Sequence, residues 1–150
     1  MLEIRTFKTY REMKDTHQKE MNAFPLGAAF SKEQFKEMME KWGLDADKDC
    51  DKIYSIGMGC FIRKSDAKEF DEILERFRLE EKLFRKEMKK AVDQFYHELA
   101  NHEYGLTHDL EPTLDACGIT IEEFENNEFL KAAMKKALVK YRKDMRRFDC

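Results

Sequence analysis

The stretch YHELANHEYGLTHD, residues 96–109, gathers three histidines, two glutamates and an aspartate. Imidazoles and carboxylates at close spacing can hold a divalent metal or work as a general base. A helical zinc site of the HExxH kind needs its ligands four residues apart, so that both face one way. His97 and His102 are five apart, which turns the second ring about 140° away from the first. They cannot share an ion on a regular helix. Glu98 and His102 do have the four-residue spacing, and His108 and Asp109 follow in the next loop. Glu98, His102, His108 and Asp109 are therefore the candidate set for a metal-dependent hydrolase or nuclease. The competing explanation is architectural. His102 follows Leu99 by three residues, so its ring can seat beside the core and hydrogen-bond Glu98, while Asp109 caps a short helix and His108 faces solvent. The absence of a recognised ligand spacing favours that explanation, and neither metal nor other cofactor is expected.

Three other groups of residues could do chemistry. DADKDCDK sets Asp45, Asp47, Asp49 and Asp51 at the alternation of a calcium loop. Cys50 stands where that loop needs glycine and Ile56 where it needs glutamate, so a solvated acidic loop is expected. Cys60 follows Gly57-Met58-Gly59 but sits in an apolar strand pattern with no base beside it. The glycines precede no phosphate-loop signature. Cys50, Cys60, Cys117 and Cys150 are scattered, without a CxxC pair, and read as reduced thiols.

Charge is the strongest global signal. The net charge is only −3, yet residues 91–130 carry acids and no Lys or Arg, whereas residues 131–150 are strongly basic. Carboxylates so segregated are either neutralised by the basic helix that follows or presented to a partner. Glu111, Asp115, Glu122, Glu123, Glu125 and Glu128 are the candidate partner-binding residues, and a basic surface on another protein is the expected partner. Lys136, Lys140, Lys143 and Arg147 form a stripe that could track a nucleic-acid backbone. That is the lesser expectation, because Tyr141 and Phe148 fall on the buried side of the same helix.

The elements that must position these groups are mostly helical. Hydrophobic residues make up 42% and charged residues 39%, with two prolines and six glycines, a composition rich in helix formers and core fillers. A helix is predicted over residues 6–22 with Thr6 as its cap. Another begins at Ser31, where Gln34 completes a capping box and Phe30 and Phe35 a hydrophobic staple. Ile53–Ile56 and Cys60–Ile62 flank a glycine turn and predict a hairpin. Asp66 to Tyr104 lacks proline and glycine, and its apolar spacing predicts two helices, or one bent near Glu80-Glu81. Gly105 stops it. A short helix over Leu110–Ala116 precedes a last helix opened by Thr120 and Glu123. The expectation is one domain over residues 1–150, mainly α with α+β character, a bundle of five to six helices with one small hairpin.

The runs IGMGCFIRKSDAKEF and ELANHEYGLTHDLEPTLDACGITIEEFENN resemble a group of small uncharacterised proteins from Firmicutes, their phages and mobile elements. The resemblance covers roughly residues 30–140. It brings no established activity and no catalytic residue. It implies a mobile-element setting, in which small cytosolic proteins antagonise host defence nucleases by binding them. MLEIRTFKTYREMKD has no uninterrupted apolar run, so neither a signal peptide nor a membrane span is read there and a cytoplasmic location is expected.

Overall fold

A computed structural model describes residues 2–102 and 104–146. Among these, eight α-helices and a small antiparallel sheet follow in the order α1 (Tyr10–Ala23), β1 (Gly27–Ala28), α2 (Lys32–Lys41), β2 (Ile53–Gly57), β3 (Cys60–Arg63), α3 (Ala67–Phe84), α4 (Met88–Asn101), α5 (Tyr104–Thr107), α6 (Glu111–Ala116), α7 (Ile121–Glu125) and α8 (Glu128–Arg146). The mainly helical expectation holds. The chain divides into two compact units, one formed by Thr16–Glu75 with Leu2, the other by Glu3–Asp15 and the chain from Arg76 onward.

In the first unit the predicted hairpin is β2 and β3, and the two residues of β1 add a third strand in the order β1-β3-β2. Gly27 pairs with Phe61 and Ala28 with Cys60. The sequence gives no alternating pattern for so short a strand, which is why it escapes prediction. Its glycine is required by packing: a methyl group on Gly27 would run into the Met38 sulfur and the Trp42 ring. Ser31 caps α2 as predicted, its Oγ accepting from the Gln34 N–H at 3.2 Å. The Gln34 side chain in turn accepts from the Phe30 N–H at 2.8 Å, so the box closes one residue further out than the usual pattern. Met38, Met39, Ile62, Phe70 and Ile73 are buried with Phe24, whose ring meets Phe70 at 5.5 Å. The aspartate run folds on itself. Asp45 accepts from the backbone of Asp47 and Lys48, and Asp49 accepts from the Asp45 N–H at 2.7 Å. That last bond, with Lys52 at 3.2 Å, draws the Asp49 carboxyl below its ordinary range.

The second unit is built on α4 lying along α8. Ala91, Phe95 and Leu99 from α4 and Leu130, Ala133, Met134, Ala137 and Tyr141 from α8 form one buried cluster, joined by Leu114, Cys117 and Ile119. Alanines at the crossing let the backbones come close, and each large side chain in the cluster contributes roughly 1.5–3 kcal/mol of burial. Phe7, Tyr10, Met13 and Phe84 make a second cluster.

Helix boundaries differ from the sequence reading at four places. Helix α1 begins at Tyr10, capped by Thr9, whose Oγ1 accepts from the Glu12 N–H at 3.1 Å. The gap at Glu80-Glu81 is no bend but the interior of α3, and the break comes at residues 85–87. The last helix is two. Thr120 caps the five-residue α7, and Asn127 restarts the chain by accepting from the Leu130 N–H at 3.0 Å. Gly105 lies inside the short α5, its backbone against the Tyr141 hydroxyl, to which its N–H donates at 3.0 Å.

Candidate functional site

Of the four residues HELANHEYGLTHD offered, the fold brings two together. Glu98 is buried on α4, and His102 closes that helix one turn later, its Nε2 3.1 Å from Glu98 Oε2. The other oxygen, Oε1, accepts from the Tyr10 hydroxyl at 2.5 Å, a buried bond across 88 residues of sequence. His108 is exposed, with a left-handed backbone (φ 55°) and its ring edge-on to Tyr104. Asp109 is exposed too, and its Oδ1 accepts from the Glu111 N–H at 3.0 Å in a local turn leading into α6, whose N-cap residue is Leu110. Among the described residues no three His, Cys, Asp or Glu side chains converge as metal ligands would.

What surrounds Glu98 instead is a polar cluster drawn from four segments. Lys14 Nζ lies 3.5 Å from Glu81 Oε1 and 4.0 Å from Glu98 Oε1. Burial pushes the Glu81 carboxyl above its usual range, against the pull of Lys14. Burial also pushes up the Tyr10 phenol, and its bond to Glu98 pushes the same way. Tyr10 therefore stays a neutral donor. Cys117 is buried nearby, its thiol pushed up to about 12 by burial first and by Glu98 and Glu81 after it. Such a thiol is a neutral core residue rather than a nucleophile. The Arg85 guanidinium donates to the Cys117 carbonyl at 3.0 Å. Only His102 and Lys14 reach solvent appreciably, with side chains 35% and 43% exposed. Chemically this arrangement fixes α1 to α4: each Glu98 oxygen is engaged, and the partly exposed His102 imidazole and Lys14 ammonium are its polar face.

The sequence pattern missed Tyr10, Lys14 and Glu81 as members of this cluster. No local pattern marks these three; the apolar stripe of α3, Phe70, Ile73, Glu80 and Phe84, points instead to the neighbouring Glu80 as a buried carboxylate.

The six carboxylates read as partner-binding, Glu111, Asp115, Glu122, Glu123, Glu125 and Glu128, are all exposed. Glu128 pairs with Lys131 at 3.6 Å; the other five are in no ion pair among the described residues. Ile121 and Phe129, 46% and 37% exposed, stand among them. Lys136, Lys140 and Lys143 are exposed on α8, and Arg147 lies outside the described residues. No helix among the described residues is long and apolar enough to cross a membrane.

A mainly helical chain with a three-stranded antiparallel sheet, and a tyrosine–glutamate–histidine hydrogen-bond chain running from buried Tyr10 and Glu98 to the partly exposed His102, is the class of protein these features define. It belongs to a family of unknown function, DUF7659, which matches residues 9–140. No curated protein and no solved structure matches it.

Proposed function

We propose that this is a small cytoplasmic protein of a phage or mobile element that acts by binding a host protein through an acidic face. The single observation that carries the reading is the state of the 111–128 carboxylates. Five of the six are exposed and without an ion pair among the described residues. Internal neutralisation was the alternative, and the only pair α8 supplies to them there is the local one between Lys131 and Glu128. Exposed charge of one sign speeds encounter with a surface of the other sign and excludes wrong partners, although Glu123 also feels the Arg85 guanidinium. The exposed Ile121 and Phe129 supply what charge alone lacks, since affinity concentrates in apolar and aromatic anchors ringed by polar residues. The resemblance to proteins of mobile elements supports a host defence nuclease as the partner: its nucleic-acid groove is the kind of basic surface such a face fits.

The test is capture from host lysate with the tagged protein as bait, followed by mass spectrometry. The wild type is expected to retain a basic protein that elutes as salt is raised. The triple reversal of Glu122, Glu123 and Glu125 to lysine is expected to lose it. Capture that survives the reversal overturns the reading.

A further inference from the structure

The second unit also holds a cationic groove, and its lysines come from three parts of the sequence. Lys8 precedes α1, Lys89 and Lys90 lie in the first turn of α4, and Lys136 and Lys140 belong to α8. They line one open cavity of about 970 Å³ whose floor includes Met88 and Val92. Two carboxylates border the groove, one tied to Tyr10 and His97 and the other paired with one of the groove's own lysines. Asp93 accepts from the Tyr10 N–H at 2.8 Å and lies 3.2 Å from the His97 ring nitrogen. Glu87 pairs with Lys90 at 3.5 Å. That leaves Lys8, Lys89, Lys136 and Lys140 in no ion pair among the described residues. Lys140 is held over the Tyr96 ring, 4.4 Å from its centroid.

We propose that this groove binds the phosphodiester backbone of a nucleic acid without regard to base sequence. Four uncompensated ammonium groups around one cavity repel each other, and an anion that enters relieves that repulsion. Several features of the groove favour a polyanion over a small phosphate ligand. The unpaired cations are exposed lysines, flexible point charges that suit a repeating backbone better than one fixed group. They also continue past the cavity. Lys136, Lys140 and Lys143 follow one face of α8 at intervals of four and three residues, a row about 10 Å long at the helix rise of ~1.5 Å per residue. The sequence shows only this row. What makes it a groove is the arrival of Lys8, Lys89 and Lys90 opposite it, which no sequence pattern connects. The inference goes beyond the proposed protein contact and does not depend on it, because none of its residues belongs to the acidic set.

The experiment measures anisotropy of fluorescein-labelled mixed-sequence oligonucleotides, single-stranded and duplex, titrated with the full chain. Binding is expected at low salt. Between 50 and 200 mM salt it should weaken by roughly 50-fold for a single strand, the consequence of releasing counterions at about four phosphates. The double variant Lys8→Glu, Lys89→Glu is expected to weaken binding by about 20-fold or more, as removal of two phosphate contacts implies. Lys32→Glu with Lys36→Glu, exposed on α2 in the other unit, changes net charge equally and is expected to leave it unchanged. Milder Lys8→Gln and Lys89→Gln variants, checked for fold by circular dichroism, serve if the reversals do not fold. Absence of binding at low salt, or equal loss in the α2 control, overturns the proposal. So does competition by vesicles of anionic lipid that exceeds competition by unlabelled oligonucleotide at equal phosphate.

Discussion

The Tyr10 hydroxyl donates to Glu98 Oε1 at 2.5 Å, and both residues are buried. This bond ties the first turn of α1 to the last turn of α4 through a carboxylate of the histidine-rich stretch 97–109. Glu98 needs a donor on each oxygen because an ionised carboxylate in the interior is costly unless its lone pairs are filled. Tyr10→Phe keeps the ring and removes one donor. It is expected to destabilise the fold by about 2 kcal/mol, the cost of an orphaned buried acceptor. His102→Ala, which strips the other oxygen at a site open to water, is expected to cost less. Chemical denaturation of the two variants and of their double gives the coupling. A Tyr10→Phe variant as stable as the wild type would falsify this account of Glu98.

Cys117 offers a check on the same interior. Burial holds its thiol up to about 12, against an ordinary value of 9.0. The folded state therefore binds a proton that the unfolded state gives up, and stability falls as pH rises from about 9 toward 12. Below pH 9 this group contributes no pH dependence. The same cause makes Cys117 inert to alkylation in the native protein, whereas the exposed Cys50 reacts freely. Mass mapping after iodoacetamide treatment at pH 8 should find label on Cys50 and none on Cys117 until denaturant is added. Equal labelling of the two in native buffer would place Cys117 outside the core.

What the sequence made legible was whatever is written locally. Ser31 and Gln34, Thr120 and Glu123, and the two strands around Gly57-Met58-Gly59 are short-range patterns, and each has its counterpart in the fold. So does the Glu98–His102 contact, four residues apart on one helix. What stayed hidden was set at long range. Nothing near Glu80-Glu81 reports that Arg5, 75 residues earlier, will meet the first of them, so a buried charge looked like a break in an apolar stripe. Two strand residues at Gly27 are too few to alternate. The last helix looked continuous because its apolar line passes over Asn126-Asn127, where only a side-chain cap betrays the restart. For the candidate sites, exposure of the acidic residues followed from their polarity, while the meeting of Lys8 and Lys89 with Lys136 required the folded chain.

Gln94 shows the reverse of the Glu98 arrangement. It is completely buried on α4, and neither its amide nitrogen nor its oxygen has a hydrogen-bond partner among the described residues. An unpaired buried amide costs free energy that an apolar side chain of similar length would not. Gln94→Met is therefore expected to stabilise the protein by about 1 kcal/mol, seen as a higher denaturation midpoint with unchanged slope. A loss of stability in Gln94→Met would mean that the amide is satisfied in solution, and that its place in α4 serves some purpose other than filling volume.

The Arg5–Glu80 pair separates the worth of an interaction from the cost of breaking it. Glu80 has a fully buried side chain, and Arg5 reaches it with Nε at 2.7 Å, Nη2 at 2.9 Å and its backbone N–H at 2.8 Å. The bond to Glu80 raises the Arg5 pKa, so the pairing favours the charged guanidinium. The Arg5 side chain is itself 34% exposed, and water screens part of the attraction. Replacing Arg5 alone leaves a carboxylate in the interior with its best donors gone, and Arg5→Met is expected to cost about 3 kcal/mol. Replacing both, Arg5→Met with Glu80→Leu, removes the carboxylate's desolvation cost along with the attraction, but it also takes away the Glu80 oxygen that lies 3.9 Å from Nε of the largely buried Arg76. The double variant should recover part of that loss and stay below the wild type, because the Arg76 charge loses that contact. Urea melts of the two single variants and the double decide it. If the double is as unstable as the worse single, the pair contributes more than its desolvation takes away, and the segment before α1 is held chiefly by charge.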